Sequence, residues 1–299
     1  MPEYRAIRKL GKGGQGVCWL VQRVGDGVRL VRKSTDDIMY DKDTPLEVRI
    51  LRDVLDIHRR TLNLVDWTIL TLPSPLTQVL ITYYEYYAGG DLDKWMPKGT
   101  EEGKESSESF VWYVFEQMAD VLAYLHYGYE CNKIDRQKDW QLVLHCDIKP
   151  ANIFLRTPRS KYNKYPELVL GDFGLATFKE GRPLNGTPGY WSPEAKVTGN
   201  TKYTDVWALG ATIHEMVHGA SPREQRPKHP PNDPKEREAW NKYAEEKRWP
   251  RRMPDSYSRN LNNLMMDCLQ ISAGPEGRRR TSLQLIRKIR AENPSGRSG

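Results

Sequence analysis

Gly11-Lys12-Gly13-Gly14-Gln15-Gly16 sits between two short β-prone runs, and an ordered series of polar motifs follows it down the chain. Leu30-Val31-Arg32-Lys33 ends a strand on a lysine, and Glu47 stands near the start of the helix expected next. Then come His145-Cys146-Asp147-Ile148-Lys149-Pro150-Ala151-Asn152, Asp172-Phe173-Gly174, Ser192-Pro193-Glu194 and Asp205-Val206-Trp207. Taken alone the glycine motif is weak, because glycine serves ordinary hairpins as readily as phosphate sites. A dinucleotide-binding turn would need a helix opening at the third glycine and an acid about 20 residues on. Residues 17–23 continue as a strand, which disfavours that fold.

The first third of the chain reads as strands around one helix. Residues 4–10, 17–23 and 29–33 are short β-prone runs separated by turns, which predicts an antiparallel meander. Residues 45–58 are expected to be helical, with Leu46, Ile50, Leu51, Val54 and Leu55 on one apolar face. Residues 79–84 read as a buried strand, broken by Ala88-Gly89-Gly90. The remainder is mainly helical, over 110–126, 206–217, 261–269 and 282–289. Residues 127–141 read as a polar surface insertion, and 221–254 as a long charged excursion with a short helix near 235–247. A β-rich lobe with one main helix (about 1–86), a hinge (about 85–90), a larger helical lobe (about 91–292) and a loose tail (293–299) follow. The expected fold class is therefore α+β and bilobal, a single domain over 1–299.

Composition narrows the setting. Apolar residues make up 38% of the 299, which is enough for a core and argues against disorder. No apolar run approaches the roughly 20 residues of a membrane span, and residues 1–10 lack a signal-peptide stretch. Cys18, Cys131, Cys146 and Cys268 are widely spaced, so reduced thiols are expected rather than a disulfide framework or a zinc site. An intracellular place, cytoplasmic or nuclear, is the default. The net charge of +7 suits nucleic acid, acidic lipid or a nucleotide cleft equally. The basic runs 247–252 and 278–280 read first as solvated faces, the former also as a nuclear import signal or docking site.

In order and spacing, the motifs over about residues 4–289 resemble the protein kinase superfamily, specifically a serine/threonine protein kinase catalytic domain. The resemblance implies ATP and Mg2+ (with Mn2+ as the alternative ion), protein substrates, and neither nucleic acid nor membrane as a partner. It places Leu10, Gly11, Gly13, Gly16, Cys18, Val31, Lys33, Glu85, Tyr87, Asp91 and Phe154 around ATP. Lys33 would hold the α/β-phosphates and be held by Glu47. Arg32 and Lys33 face opposite sides of a strand, and the family spacing selects Lys33. Asp147 would accept the substrate hydroxyl proton, with Lys149 at the γ-phosphate. Asn152 and Asp172 would hold the metal.

By the same resemblance Tyr84 lies deep to the adenine, and the backbones of Glu85 and Tyr87 meet its edge. Asp91 reaches the ribose or caps the following helix. His145 is read as a packed structural residue, Thr187 as positioning substrate and base, and Asp205 as anchoring the catalytic loop. Glu194 pairs with an arginine, Arg279 in a register uncertain by one.

Some positions depart from the pattern. Cys146 replaces the arginine that pairs with an activation-segment phosphate in other kinases, and residues 178–186 contain no Ser, Thr or Tyr. Together they predict a kinase that needs no such phosphorylation. Val31, Cys18 and Ser192 are milder changes that remove no catalytic group. The alternatives are a pseudokinase scaffold that binds ATP, a small-molecule phosphotransferase of related fold and, weakest, a nucleic-acid-binding protein. The intact set Lys33, Asp147, Asn152 and Asp172 speaks against the first.

Overall fold

A computed structural model describes residues 2–55, 58–73, 76–96, 106–129, 139–156, 164–181, 183–222, 250–271 and 279–293. The helix expected over 235–247, Cys131, Arg278, the start of the 247–252 run and the tail beyond Asn293 lie outside them. The chain divides into two compact units, Met1–Gly90 with Phe154–Ala176, and Asp91–Ile153 with Thr177–Gly299. Unlike a division in simple chain order, the segment from Phe154 to Ala176 joins the first unit.

The first unit is built on a five-stranded antiparallel sheet in the order β1-β2-β3-β7-β6. Its strands are β1 (Tyr4–Gly13), β2 (Gly16–Arg23), β3 (Arg29–Thr35), β6 (Leu64–Pro73) and β7 (Leu76–Glu85). The meander and the buried strand are where the sequence placed them. β6 is an addition, since its run of Trp67, Thr68, Ile69 and Leu70 is β-prone but has no clean alternation. Val21, Leu30 and Tyr83 form a buried cluster, and the Tyr4 ring stacks on Tyr83 at 3.9 Å. Short β4 (Tyr40–Asp41) and β5 (Thr44–Pro45) precede the helix, and β8 (Ile153–Arg156) pairs with β9 (Glu167–Leu170).

The helix expected over 45–58 is shorter and irregular. It runs as α1 (Leu46–Arg49) and continues as a π-turn over Ile50–Val54, where the Leu55 N–H reaches the Ile50 carbonyl at 2.9 Å. Leu46, Ile50, Leu51 and Leu55 are buried as the periodicity implied, while Val54 is only half-buried and Val48 is buried instead. The widened turn rotates the later residues relative to a 3.6-residue repeat, which explains the exchange.

The second unit is helical, with α2 (Leu92–Trp95), α3 (Glu108–Tyr127), α4 (Ala195–Thr198), α5 (Lys202–His218), α6 (Arg259–Cys268) and α7 (Ser282–Glu292). α3 packs on α5 and α7, and α6 on α5 and α7, around Trp112, Phe115, Leu122, Trp207 and Leu264. Thr201 and Thr281 open α5 and α7 with capping boxes, and Gly128 and Gly219 close α3 and α5 in the left-handed conformation. The stretch 127–141 is not wholly a surface insertion. Trp140 packs on Tyr124 at 4.9 Å and donates to the Leu125 carbonyl at 3.0 Å. Among the described residues no helix is long and apolar enough to cross a membrane.

His214 and His218 lie one turn apart on α5 with ring centroids 4.2 Å apart, and His214 donates through Nδ1 to the Ala220 carbonyl at 3.0 Å. Burial, reinforced by His218 and Arg251, pushes His214 down to about 3; burial and Arg251 push His218 down to about 4. Both rings are neutral when folded but protonate near pH 6.5 when unfolded, so their contribution is complete above pH 6.5 and is lost as pH falls toward 4. Between pH 7 and 5 the second unit is expected to lose about 2–3 kcal/mol, with the partly exposed His218 contributing less. Thermal unfolding of the protein against its His214→Gln variant checks this. An unaltered pH slope in the variant would contradict the assignment.

Candidate active site

In the first unit the glycine motif is a tight hairpin. Gly13 pairs with Gly16, leaving Gly14 and Gln15 as the turn, and bulges at Ala6/Arg8 and Lys9/Gly11 bend β1 along its length. Gly16 has φ +118°, and a Cβ there would lie 2.2 Å from the Ser34 carbonyl oxygen, so no other residue fits without moving β3. Gly11 and Gly13 are exposed; Leu10, Cys18 and Val31 are half-buried. Cys18 pairs across the ladder with both Gly11 and Lys33. Burial pushes its thiol above the ordinary range, although Lys33 opposes the shift.

β3 delivers Lys33 to the buried side, 6% exposed. Its Nζ donates to Asp172 Oδ1 at 2.7 Å, to both Glu47 oxygens at 3.3 Å and to Gln15 Oε1 at 3.4 Å. Burial works against the ammonium, but Glu47 and Asp172 outweigh it and hold Lys33 above its ordinary value. Glu47 takes a second donor, the Tyr84 hydroxyl at 2.7 Å. Burial first, and the Glu47 charge second, hold that phenol well above its ordinary value, which keeps it a donor. Asp172 sits at φ +60°, and only its Oδ1 is taken by Lys33, so Oδ2 is left for a cation. Gly174 lies so close to Gln15 and Lys33 that a Cβ would fall 2.1 Å from Gln15 Oε1.

After β7, Glu85 and Tyr87 are tied to Arg156, a residue the motif series did not single out. Its guanidinium donates to Glu85 at 3.2 Å, to the Tyr87 hydroxyl at 3.4 Å and to Glu167 at 3.4 Å. The Tyr87 ring stacks on Phe154 at 6.1 Å. Burial, then Glu85, pushes the Tyr87 phenol up to about 12.

In the second unit Asp147 is the centre of a dense set of donors. Lys149 Nζ donates to Oδ2 at 2.9 Å, Asn152 Nδ2 to Oδ2 at 3.0 Å, and the Thr187 N–H and hydroxyl to Oδ1 at 2.8 and 2.7 Å. Burial would raise this carboxyl, but the Lys149 bond and charge and the Thr187 bond outweigh it, so Asp147 lies below the ordinary carboxylate range. Lys149 also reaches Thr187 Oγ1 at 2.7 Å. Because the Asn152 amide nitrogen is spent on the Asp147 side chain and carbonyl, its amide oxygen is left for a cation. Asn152 in this unit and Asp172 in the first each carry a hard oxygen of the kind Mg2+ accepts.

The loop around Asp147 is fixed from behind. Asp205 accepts from the His145 and Cys146 N–H groups at 2.8 and 3.0 Å, and from His126 Nε2 at 3.1 Å. His145 is fully buried and accepts from the Asp147 N–H at 3.3 Å. Cys146 sits at φ +67°, and its carbonyl passes so near Gly186 (φ +96°) that a Cβ there would be 2.2 Å away. Gly186 is a position the motifs alone did not reveal. Asp91 caps α2, accepting from the Lys94 N–H at 2.9 Å. Glu194 pairs with Arg279, fixing the register left open by the neighbouring arginines, while Arg280 goes to Asp267 at 2.9 Å.

The protein kinase domain model matches residues 4–288. Similar proteins include the G2-specific protein kinase nim-1 of Neurospora crassa, 28% identical over 97% of this chain and 34% of that protein. The G2-specific protein kinase fin1 of Schizosaccharomyces pombe is 34% identical over 76% of this chain and 32% of its own length. The serine/threonine-protein kinase Nek2 of Mus musculus is 33% identical over 72% and 46%. The chain thus spans between about a third and a half of the length of these relatives. A domain match covering nearly every described element, over the same Lys33, Asp147 and Asp172 that the two units hold in place, leaves one conclusion: the chain belongs to the protein kinase family.

Proposed function

We propose that the chain is an ATP-dependent serine/threonine protein kinase that needs no activation-segment phosphorylation. The observation that carries this reading is the Asp147 cluster, in which an ionised carboxylate, Lys149 and a threonine hydroxyl lie within 2.9 Å of one another. In the reaction a substrate Ser or Thr oxygen bonds to the γ-phosphorus as the bond to the ADP oxygen breaks, and the hydroxyl proton passes to Asp147. Lys149 offsets charge on the transferred phosphoryl group. The Gly11–Gly16 backbone covers the phosphates, Lys33 orients them, and Glu85 and Tyr87 present their backbones to the adenine. Asn152 and Asp172 would hold Mg2+, which when bound neutralises phosphate charge.

Lys149 and the serine/threonine relatives support the hydroxyl class. Independence from phosphorylation is supported by Cys146 and by contacts that hold the segment without phosphate. Leu144 and Thr177 exchange backbone bonds at 2.8 and 2.9 Å, the Gly181 N–H reaches the Asn200 carbonyl at 2.9 Å, and Trp191 donates to the Asn185 carbonyl at 2.9 Å. The free thiols of Cys18 and Cys268 support an intracellular setting.

The test incubates the phosphatase-treated, repurified chain with radiolabelled ATP, Mg2+ and a generic basic protein, followed by phosphoamino-acid analysis. Label on serine or threonine, at the rate of untreated protein, is expected. Phosphotyrosine would overturn the hydroxyl class, and loss of activity on phosphatase treatment would overturn the independence. ATP binding without transfer would point to a scaffold.

A further inference from the structure

We infer that the Tyr84 hydroxyl is a positioning group for the Lys33–Glu47 pair. It is a tether from the central sheet that holds the Glu47-bearing helix where Lys33 needs it. The inference rests on the reading of Lys33 as the phosphate-orienting lysine.

Ion pairing with Lys33 alone gives Glu47 a weak hold. Lys33 spends its shortest contact, 2.7 Å, on Asp172 and stands 3.3 Å from each Glu47 oxygen. By contrast the Tyr84 hydroxyl is 2.7 Å from Glu47 Oε1, the shorter of the two holds. Hydrogen bonds to a charged acceptor are the stronger kind, and this one is buried, with Tyr84 at 3% and Glu47 at 7% exposure.

Helix rigidity offers little help. α1 is only four residues long, starts at Pro45 with no side-chain cap, and passes directly into the π-turn. Such a segment is too short to fix its own first turn. Tyr84, however, lies on β7, which is bonded on one side to β3 through Val31 and on the other to β6 through Leu64. A ring so placed is a fixed point, and its hydroxyl carries that fixity to Glu47. A phosphate-independent kinase lacks one external means of setting this helix, and Tyr84 supplies an internal one.

Tyr84→Phe keeps the ring and deletes the tether, which separates positioning from filling space. The variant is expected to unfold within a few degrees of the parent, to show faster amide exchange over 46–55 without nucleotide, and to lose about tenfold in kcat/KM for ATP. In a Glu47→Gln background the same change should add less than twofold, because the partner it acts through has already been altered. Parental exchange and kcat/KM in Tyr84→Phe would overturn the inference, and so would an equal loss in both backgrounds. Should the chain bind MgATP without transferring phosphate, exchange and ATP affinity carry the same test. Failure of the kinase reading and failure of the tether are therefore separate results.

Discussion

Asp147→Asn is expected to lower kcat by about a thousandfold while leaving ATP affinity within about threefold. The substitution is nearly isosteric but removes the carboxylate proposed to accept the substrate proton. It also sets an amide against donors that all need an acceptor, namely Lys149, Asn152 and the Thr187 hydroxyl. The carboxyl already lies below its ordinary range, so it is ionised throughout the physiological interval. Its sign follows: the stabilisation from Lys149 and Thr187 is present above about pH 4 and is lost only as pH falls through the lower folded value. An acid limb in the rate at pH 5–7 would accordingly belong to another group. Steady-state kinetics with a peptide substrate, beside nucleotide binding by calorimetry, decide the matter. A variant that keeps a tenth of parental kcat would remove Asp147 from the role of base.

The candidate site was legible wherever the proposed chemistry calls for a residue type at a fixed spacing. Lys33, Asp147, Asn152 and Asp172 could be named because each stands inside a short motif whose backbone context is local. The strand pattern of the meander was legible for a similar reason, since Gly13 and Gly16 close the hairpin within four residues. What sequence could not give is contact between distant positions. The Tyr84–Glu47 bond spans 37 residues and depends on a π-turn that no apolar periodicity announces. Arg156 is one charged residue among many until β8 places it beside Glu85 and Tyr87. Gly186 looks like a turn glycine, yet what requires it is the Cys146 carbonyl forty positions earlier. The arginine cluster shows the same limit, because the partners Glu194, Gln270 and Trp207 that distinguish Arg279 from its neighbour come from distant parts of the chain.

Those partners make Arg279→Leu the substitution with the largest expected effect on stability, about 3–5 kcal/mol. The Arg279 side chain is fully buried and pairs with Glu194 through both terminal nitrogens, Nη2 at 3.2 Å. It also donates to the Tyr203 carbonyl at 3.2 Å and through Nε to the Gln270 carbonyl at 3.0 Å, with its guanidinium 4.9 Å from the Trp207 ring centroid. Leucine would leave Glu194 without its counter-charge and the Gln270 carbonyl without its Arg279 donors, each a desolvated group with nothing in exchange. Arg279→Lys keeps the charge but cannot span Glu194, Tyr203 and Gln270 together, so it should recover less than half of the loss. Urea unfolding, monitored by the fluorescence of Trp207 and its neighbours, measures both. Lysine restoring parental stability would show that charge alone suffices. The partial recovery expected instead would show that the planar fork joins the end of the activation segment to the start of α7.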